Sequence, residues 1–115
     1  DGQIAGGVVH GIGNALYEWM GYDENGQPLT TNFGEYLMPT ATELPHIDMI
    51  YETSPSPLNP LGVKGVGETG TVPAAAAIVS AVEHALEPFG AQLTDYPVKP
   101  ATLVEIVRRG MPAAT

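Results

Sequence analysis

Cysteine is absent from the 115 residues, so the chain offers no disulfide framework, no thiolate metal site and no cysteine nucleophile. That lack fits a reducing compartment, and a cytoplasmic location is expected. Basic residues are scarce: four Lys and Arg stand against thirteen Asp and Glu, a net charge of −9. Nucleic acids and anionic membranes both select clustered cations, so neither is an expected partner. Only Arg108 and Arg109 are adjacent, near the end of a predicted helix whose dipole they complement. No run approaches the roughly 18 apolar residues of a membrane span, and nothing resembles a signal peptide. Membrane insertion is not expected. The chain opens on DGQIAGG without an initiator Met, as a piece of a longer protein would.

What is present is a globular composition, 43% hydrophobic and 15% charged, at a length that allows one domain with a modest core. From Gln3 to Met20 the apolar residues Ile4, Val8, Ile12, Leu16 and Met20 recur every fourth position, which predicts a helix. Gly6, Gly7, Gly11 and Gly13 lie in the same window, and each costs about 1 kcal/mol against Ala in a helix interior. A helix that keeps them has something pressed against its backbone, either another element or a ligand.

Asn25-Gly26 between two short runs signals a hairpin turn. HIDMIYET, residues 46–53, alternates as a strand would, with Ile47, Met49 and Tyr51 on one face. SPSPLNPLG is a proline-rich connection. TVPAAAAIVSAVEHALEPFG is the clearest helix, with Pro73 in its first turn, Thr69 or Thr71 as cap and Gly90 closing it. PATLVEIVRRG repeats the plan between Pro100 and Gly110, and residues 111–115 read as a frayed tail.

The stretch PLGVKGVGETGTVPAAAA sets glycines around Glu68. Gly65, Gly67 and Gly70 have the G-x-G-x-x-G spacing of a dinucleotide loop, but that motif needs a buried strand running into its first glycine, and here the lead-in is proline-rich. A nucleotide-binding module therefore stands as an alternative reading. As a phosphate loop, Gly62 to Thr69 places Glu68 where a lysine would hold phosphate, and a carboxylate there repels the ligand. The third reading makes Glu68 the point of the motif. Flanking glycines let the backbone approach a bulky partner and leave the carboxylate unobstructed. A nearby helix start favours its ionised form while burial opposes it, the two terms by which a general base is tuned. Against this stands Glu68 as a plain helix cap in a non-catalytic interaction domain.

KGVGETG followed by an alanine-rich helix, together with GQIAGGVVHGIGNALYE, resembles the C-terminal part of the molybdenum-binding large subunit of the xanthine oxidase family. That family also includes aldehyde oxidoreductases and aerobic carbon monoxide dehydrogenases. The order of segments matches as well, and the similarity covers essentially the whole chain. The resemblance implies an α+β fold, helices packed on a small mainly antiparallel sheet, with residues 1–110 forming part of a larger molybdenum-cofactor-binding domain.

It further implies that Glu68 is the base that takes a proton from a molybdenum-bound hydroxide as the oxygen attacks an electron-poor carbon of a small-molecule substrate. Gln3 matches a glutamine near the pterin or the metal's oxo group. Gly65, Val66 and Gly67 match the loop that brings backbone amides to the cofactor, and Lys64 shapes that loop. The implied cofactor is molybdopterin, in its cytosine dinucleotide form, with electrons passing to 2Fe-2S clusters and FAD on partner domains or subunits. No cofactor is expected to be held by this chain alone, and the remainder of the large subunit is its first partner. A cofactor packed beside the first helix would account for its glycines. His10 is expected to be a partly buried hydrogen-bonding residue, with cofactor contact as the other reading, and His46 and His84 are expected at the surface. No close His, Asp and Glu cluster suggests a metal held by the chain itself.

Overall fold

In the computed structural model, which describes residues 1–111, the periodic apolar run forms α1, Gly2–Leu16. Its Gly11, Ile12, Gly13 and Ala15 are buried. The helix ends four residues before the expected Met20. Tyr17 leaves helical geometry at φ −125°, ψ −51°, and the Tyr17 and Glu18 amides both donate to the Gly13 carbonyl, at 2.9 and 2.8 Å. Tertiary contacts beyond that point hold the chain in another path. The Lys99 ammonium lies 3.6 Å over the Trp19 ring, and the Gly21 amide donates to the buried Thr30 hydroxyl at 3.0 Å.

The alanine-rich run forms α2, Ala74–Ala85, followed by a short 3-10 turn, Glu87–Phe89, that Gly90 closes at φ 69°. Helix α3, Pro100–Gly110, starts and stops at the expected residues, with Arg108 and Arg109 in its last turn. Gly110 sits against the Phe89 backbone, closer than any side chain there would allow. The Val98 amide donates to the Ala15 carbonyl at 2.7 Å, fastening the approach to α3 onto the end of α1.

The expected sheet is not formed: helices and turns are the regular structure among the described residues. The Asn25-Gly26 turn is present, with Gly26 at φ 78°, and the Asp23 carboxylate accepts from the Asn25 and Gln27 amides at 2.8 Å each. Its arms meet in a single antiparallel bridge, Tyr22 to Pro28. Pro28 has no amide to donate, and two short arms without a third strand cannot propagate a ladder. Residues 46–53 keep traces of the alternation, with Ile47 and Met49 half-buried between exposed neighbours. No partner strand among the described residues takes up their backbone groups, so the pattern yields no strand.

Close packing of small residues joins α1 to the start of α2 and to the turn before it. A Cβ on Gly7 would sit 2.9 Å from the Gly70 Cα and 2.9 Å from the Thr71 nitrogen, and one on Gly11 would collide with the Ala74 methyl. These glycines therefore serve contact within the chain, and the expectation that a cofactor explains them is corrected for Gly7 and Gly11. The core is small: Ile12, Ala15, Ala74, Ala91 and Val98 are its buried apolar members, and among the described residues no large side chain is fully buried. The radius of gyration is 18.5 Å and the principal extents are 68 × 38 × 27 Å, against about 13 Å expected for a compact domain of this length. Ile50, Leu58, Leu61 and Phe33 are between 79% and 96% exposed. Residues 112–115 of the expected tail lie outside the described residues, and Met111 follows α3 in extended geometry.

Candidate functional site

The loop before α2 is built from its prolines and asparagine. Asn59 accepts from the Val63 amide at 3.1 Å and donates to the Val63 carbonyl at 3.0 Å, while the Lys64 ammonium donates to the Ser54 hydroxyl at 3.2 Å. Lys64 thus ties the two sides of the connection together, the shaping role expected of it. Beyond it the Glu68 carbonyl accepts from the Thr71 and Val72 amides at 3.0 and 3.1 Å. That turn leaves the Glu68 side chain outside, exposed, on the wall of an open concavity of about 760 Å³ shared with Gly65, Gly67, Thr69, Val72 and Pro73.

The Glu68 side chain is exposed, and α2 begins only at Ala74. Glu68 is not a helix cap: Pro73 occupies the cap position of α2, and no side chain bonds there. The same fact corrects the expectation for Thr69 and Thr71, since the Thr71 hydroxyl donates instead to the Gly7 carbonyl of α1 at 3.2 Å. The carboxylate belongs to neither ion pair among the described residues, which join His46 to Asp48 and Arg109 to Glu105. The dinucleotide reading also fails, because no strand leads into Gly65.

The glycines separate into two groups. Gly7, Gly11 and Gly70 lack side chains because the chain itself fills the space. Gly65 and Gly67 have nothing within 4 Å of a Cβ position and no positive φ, so nothing among the described residues requires glycine there. Gly2 and Gly6 are open in the same way. They share the first two turns of α1 with exposed Gln3. His10, expected to be partly buried, is exposed on the same helix. Gly70 packs against the Ile4 carbonyl and the Val8 nitrogen. Gln3, one residue from Ile4, and Glu68, two from Gly70, are therefore carried at the same crossing. A surface that keeps open glycines beside an unpartnered carboxylate fits a bulky group brought against the backbone. Among the described residues no group of three or more His, Asp or Glu could hold a metal ion.

Residues 1–45 match the family described as the molybdopterin cofactor-binding domain. Over 86 residues the chain is 52% identical to a 6-hydroxypseudooxynicotine dehydrogenase complex subunit gamma of Paenarthrobacter nicotinovorans, covering 74% of this chain and 11% of that one. It is 42% identical over 108 residues to the nicotine 6-hydroxylase large subunit of the same organism, covering 94% of this chain and 13% of the relative. The crystal structure of quinoline 2-oxidoreductase from Pseudomonas putida 86 superposes with a TM-score of 0.89 at 38% identity, over 93% of this chain and 14% of that one. The chain belongs to the molybdenum-binding large-subunit family. Its relatives in that family are molybdopterin-dependent oxidoreductases, and it spans about 11 to 14% of their length. The family resemblance expected from the two motifs is thereby established, together with binding of the molybdopterin cofactor by the family's domain. Sequence reasoning missed the role of Thr71. Its one available signal was the repeated small-x-x-x-small spacing, Gly7 to Gly11 and Gly70 to Ala74.

Proposed function

We propose that this chain is the C-terminal segment of a molybdenum hydroxylase large subunit. In this reading it supplies the general base, Glu68, and one wall of the molybdopterin pocket. The observation that carries it is the exposed Glu68 carboxylate, unpartnered among the described residues, directly after Gly65 and Gly67, whose missing side chains face open space. The cofactor, when bound, supplies the oxidation of an electron-poor substrate carbon, such as that of an aldehyde or N-heterocycle, with oxygen derived from water. Glu68 accepts a proton at a carboxylate oxygen as the new carbon–oxygen bond forms, and the open backbone of Gly65, Val66 and Gly67 presents amides to the cofactor. Gln3, from the first turn of α1, donates from its side-chain amide to the same group. The cytosine dinucleotide form of the cofactor, 2Fe-2S and FAD centres on partner subunits and a cytoplasmic location go with this reading.

The remainder of the large subunit covers the exposed apolar residues and completes the pocket, so the isolated chain is inactive. One relative is named as a subunit of a complex, which supports an assembly of this kind.

The test is Glu68→Gln in the complete cofactor-loaded subunit. Loss of a general base lowers turnover by about 10²- to 10⁴-fold at unchanged molybdenum content. Turnover within about threefold of the parent, well short of a general base's contribution, rejects the assignment.

A further inference from the structure

Resting on the reading of Glu68 as the base, we propose that Thr71 is a positioning residue that pins the Glu68 loop to α1. The argument starts at the carboxylate and works outward. The Glu68 carbonyl accepts from the Thr71 amide at 3.0 Å, which fixes the distance along the backbone between the two residues. The Thr71 hydroxyl then donates at 3.2 Å to the Gly7 carbonyl, in a half-buried contact that crosses 64 residues of sequence. Gly7 lies within α1, and a helical carbonyl already accepting along the helix retains a second lone pair for such a donor.

Sterics close the joint. Gly70 is seated on the Ile4 carbonyl, with the Val8 nitrogen 3.0 Å from its Cβ position, and a Cβ on Gly7 would lie 2.9 Å from the Thr71 nitrogen. Sliding the loop along α1 would open the hydroxyl bond, and lifting it away would break backbone contact. Helix α2 adds packing of Ala74 against Gly11 of α1, but its start carries no side-chain cap hydrogen bond to fix the loop. The same helix that anchors Thr71 carries Gln3 one residue before Ile4. The glycine contacts set how closely the loop approaches α1, and the Thr71 hydroxyl bond fixes its register there, and with it the spacing between Gln3 and Glu68, from which both must meet one bound group. A displacement of about 1 Å in a reacting group can cost about 10²-fold in rate.

The experiment uses the complete subunit with its cofactor, comparing T71S, which keeps the hydroxyl, with the near-isosteric T71V, each alone and combined with E68Q. T71S is expected to match the parent. T71V is expected to lose about 10- to 100-fold in kcat per bound molybdopterin, with KM within about twofold. On the E68Q background T71V should cost nothing further, since residues acting as one unit are not additive. Amide exchange over residues 66–72 should quicken in T71V and not in T71S. Should T71V fail to accumulate, T71A removes the hydroxyl without adding bulk and carries the same comparison. An unchanged kcat per bound cofactor, or a full additive loss on top of E68Q, overturns the proposal. If E68Q itself keeps parental turnover, the base assignment fails, and the exchange comparison alone then decides whether Thr71 anchors the loop, unchanged exchange rejecting it.

Discussion

Gly7 and Gly70 meet backbone to backbone, so that a Cβ on Gly7 would lie 2.9 Å from the Gly70 Cα. This contact sets how closely α1 and the loop carrying Glu68 approach, and no other residue type fits either position without a shift. Gly7→Ala is expected to destabilise the assembled subunit by about 1–3 kcal/mol, the range for overpacking a tight contact. Gly6→Ala, one residue away in open space, should not destabilise, since Ala is the better helix former by about 1 kcal/mol. Thermal melts of both variants check the pair, and equal losses would refute the packing role of Gly7.

Gly6 gives a second, separable result. If the open glycines of α1 face the cofactor, Gly6→Ala keeps its melting temperature in the cofactor-free subunit but lowers bound molybdopterin. Molybdenum and pterin analysis of purified protein reads this directly. Full cofactor content would move the cofactor-facing surface away from that helix face.

Lys99 lies over the face of Trp19, joining the start of α3 to the segment after α1. Lys99→Met keeps the aliphatic stem and removes the charge, and should cost about 0.5–1 kcal/mol, as for an exposed cation–π pair. Lys99→Arg should retain most of the stability. Denaturant midpoints of the two variants decide the matter, and identical values would show that only the stem packs.

Two groups titrate with folding in opposite directions. The Glu43 carboxylate accepts from the Thr40 hydroxyl and, at 2.6 Å, the Thr40 amide, with the Thr42 hydroxyl at 3.0 Å. Led by the Thr40 hydroxyl, these bonds hold its pKa below the ordinary 4.5. Its contribution is present above that value and is lost as pH falls through the lower, folded-state pKa. The Tyr36 hydroxyl donates to Glu18 at 2.9 Å, and chiefly this bond raises its pKa above the ordinary 10.0. Its contribution is full below pH 10.0 and is lost as pH rises through the higher, folded-state pKa. Amide exchange of peptides spanning residues 18–43, corrected for intrinsic rates, should show both edges. Tyr36→Phe should remove only the alkaline one.

The isolated chain buries little and exposes residues such as Ile50 and Leu58 above 90%. It should therefore melt broadly and bind an apolar dye, whereas the complete subunit melts cooperatively. A sharp, reversible transition of the isolated chain would show that residues 1–111 carry a sufficient core of their own.

Local chemistry made much of this legible. The period of Ile4, Val8 and Ile12, the proline and glycine limits of α3, the Asn25-Gly26 turn and the isolated Glu68 among glycines were all readable in order along the chain. So was the family, because two motifs in the right sequence are far more specific than one glycine pattern. The sheet was not legible. Alternation in HIDMIYET describes a face that could be buried, and a strand exists only where a second strand takes up its backbone groups. The end of α1 escaped for a similar reason, since the contacts that hold residues beyond Tyr17 come from Thr30 and Lys99.

The sequence by itself determined the family and which helices would form, because motifs, periodicity and composition act within a few residues. Only the tertiary structure decided what each glycine is for. Gly7 and Gly70 are spent on contact within the chain, while Gly65 and Gly67 stay open beside Glu68. That division depends on which backbones meet far apart in the sequence, a fact no local pattern encodes.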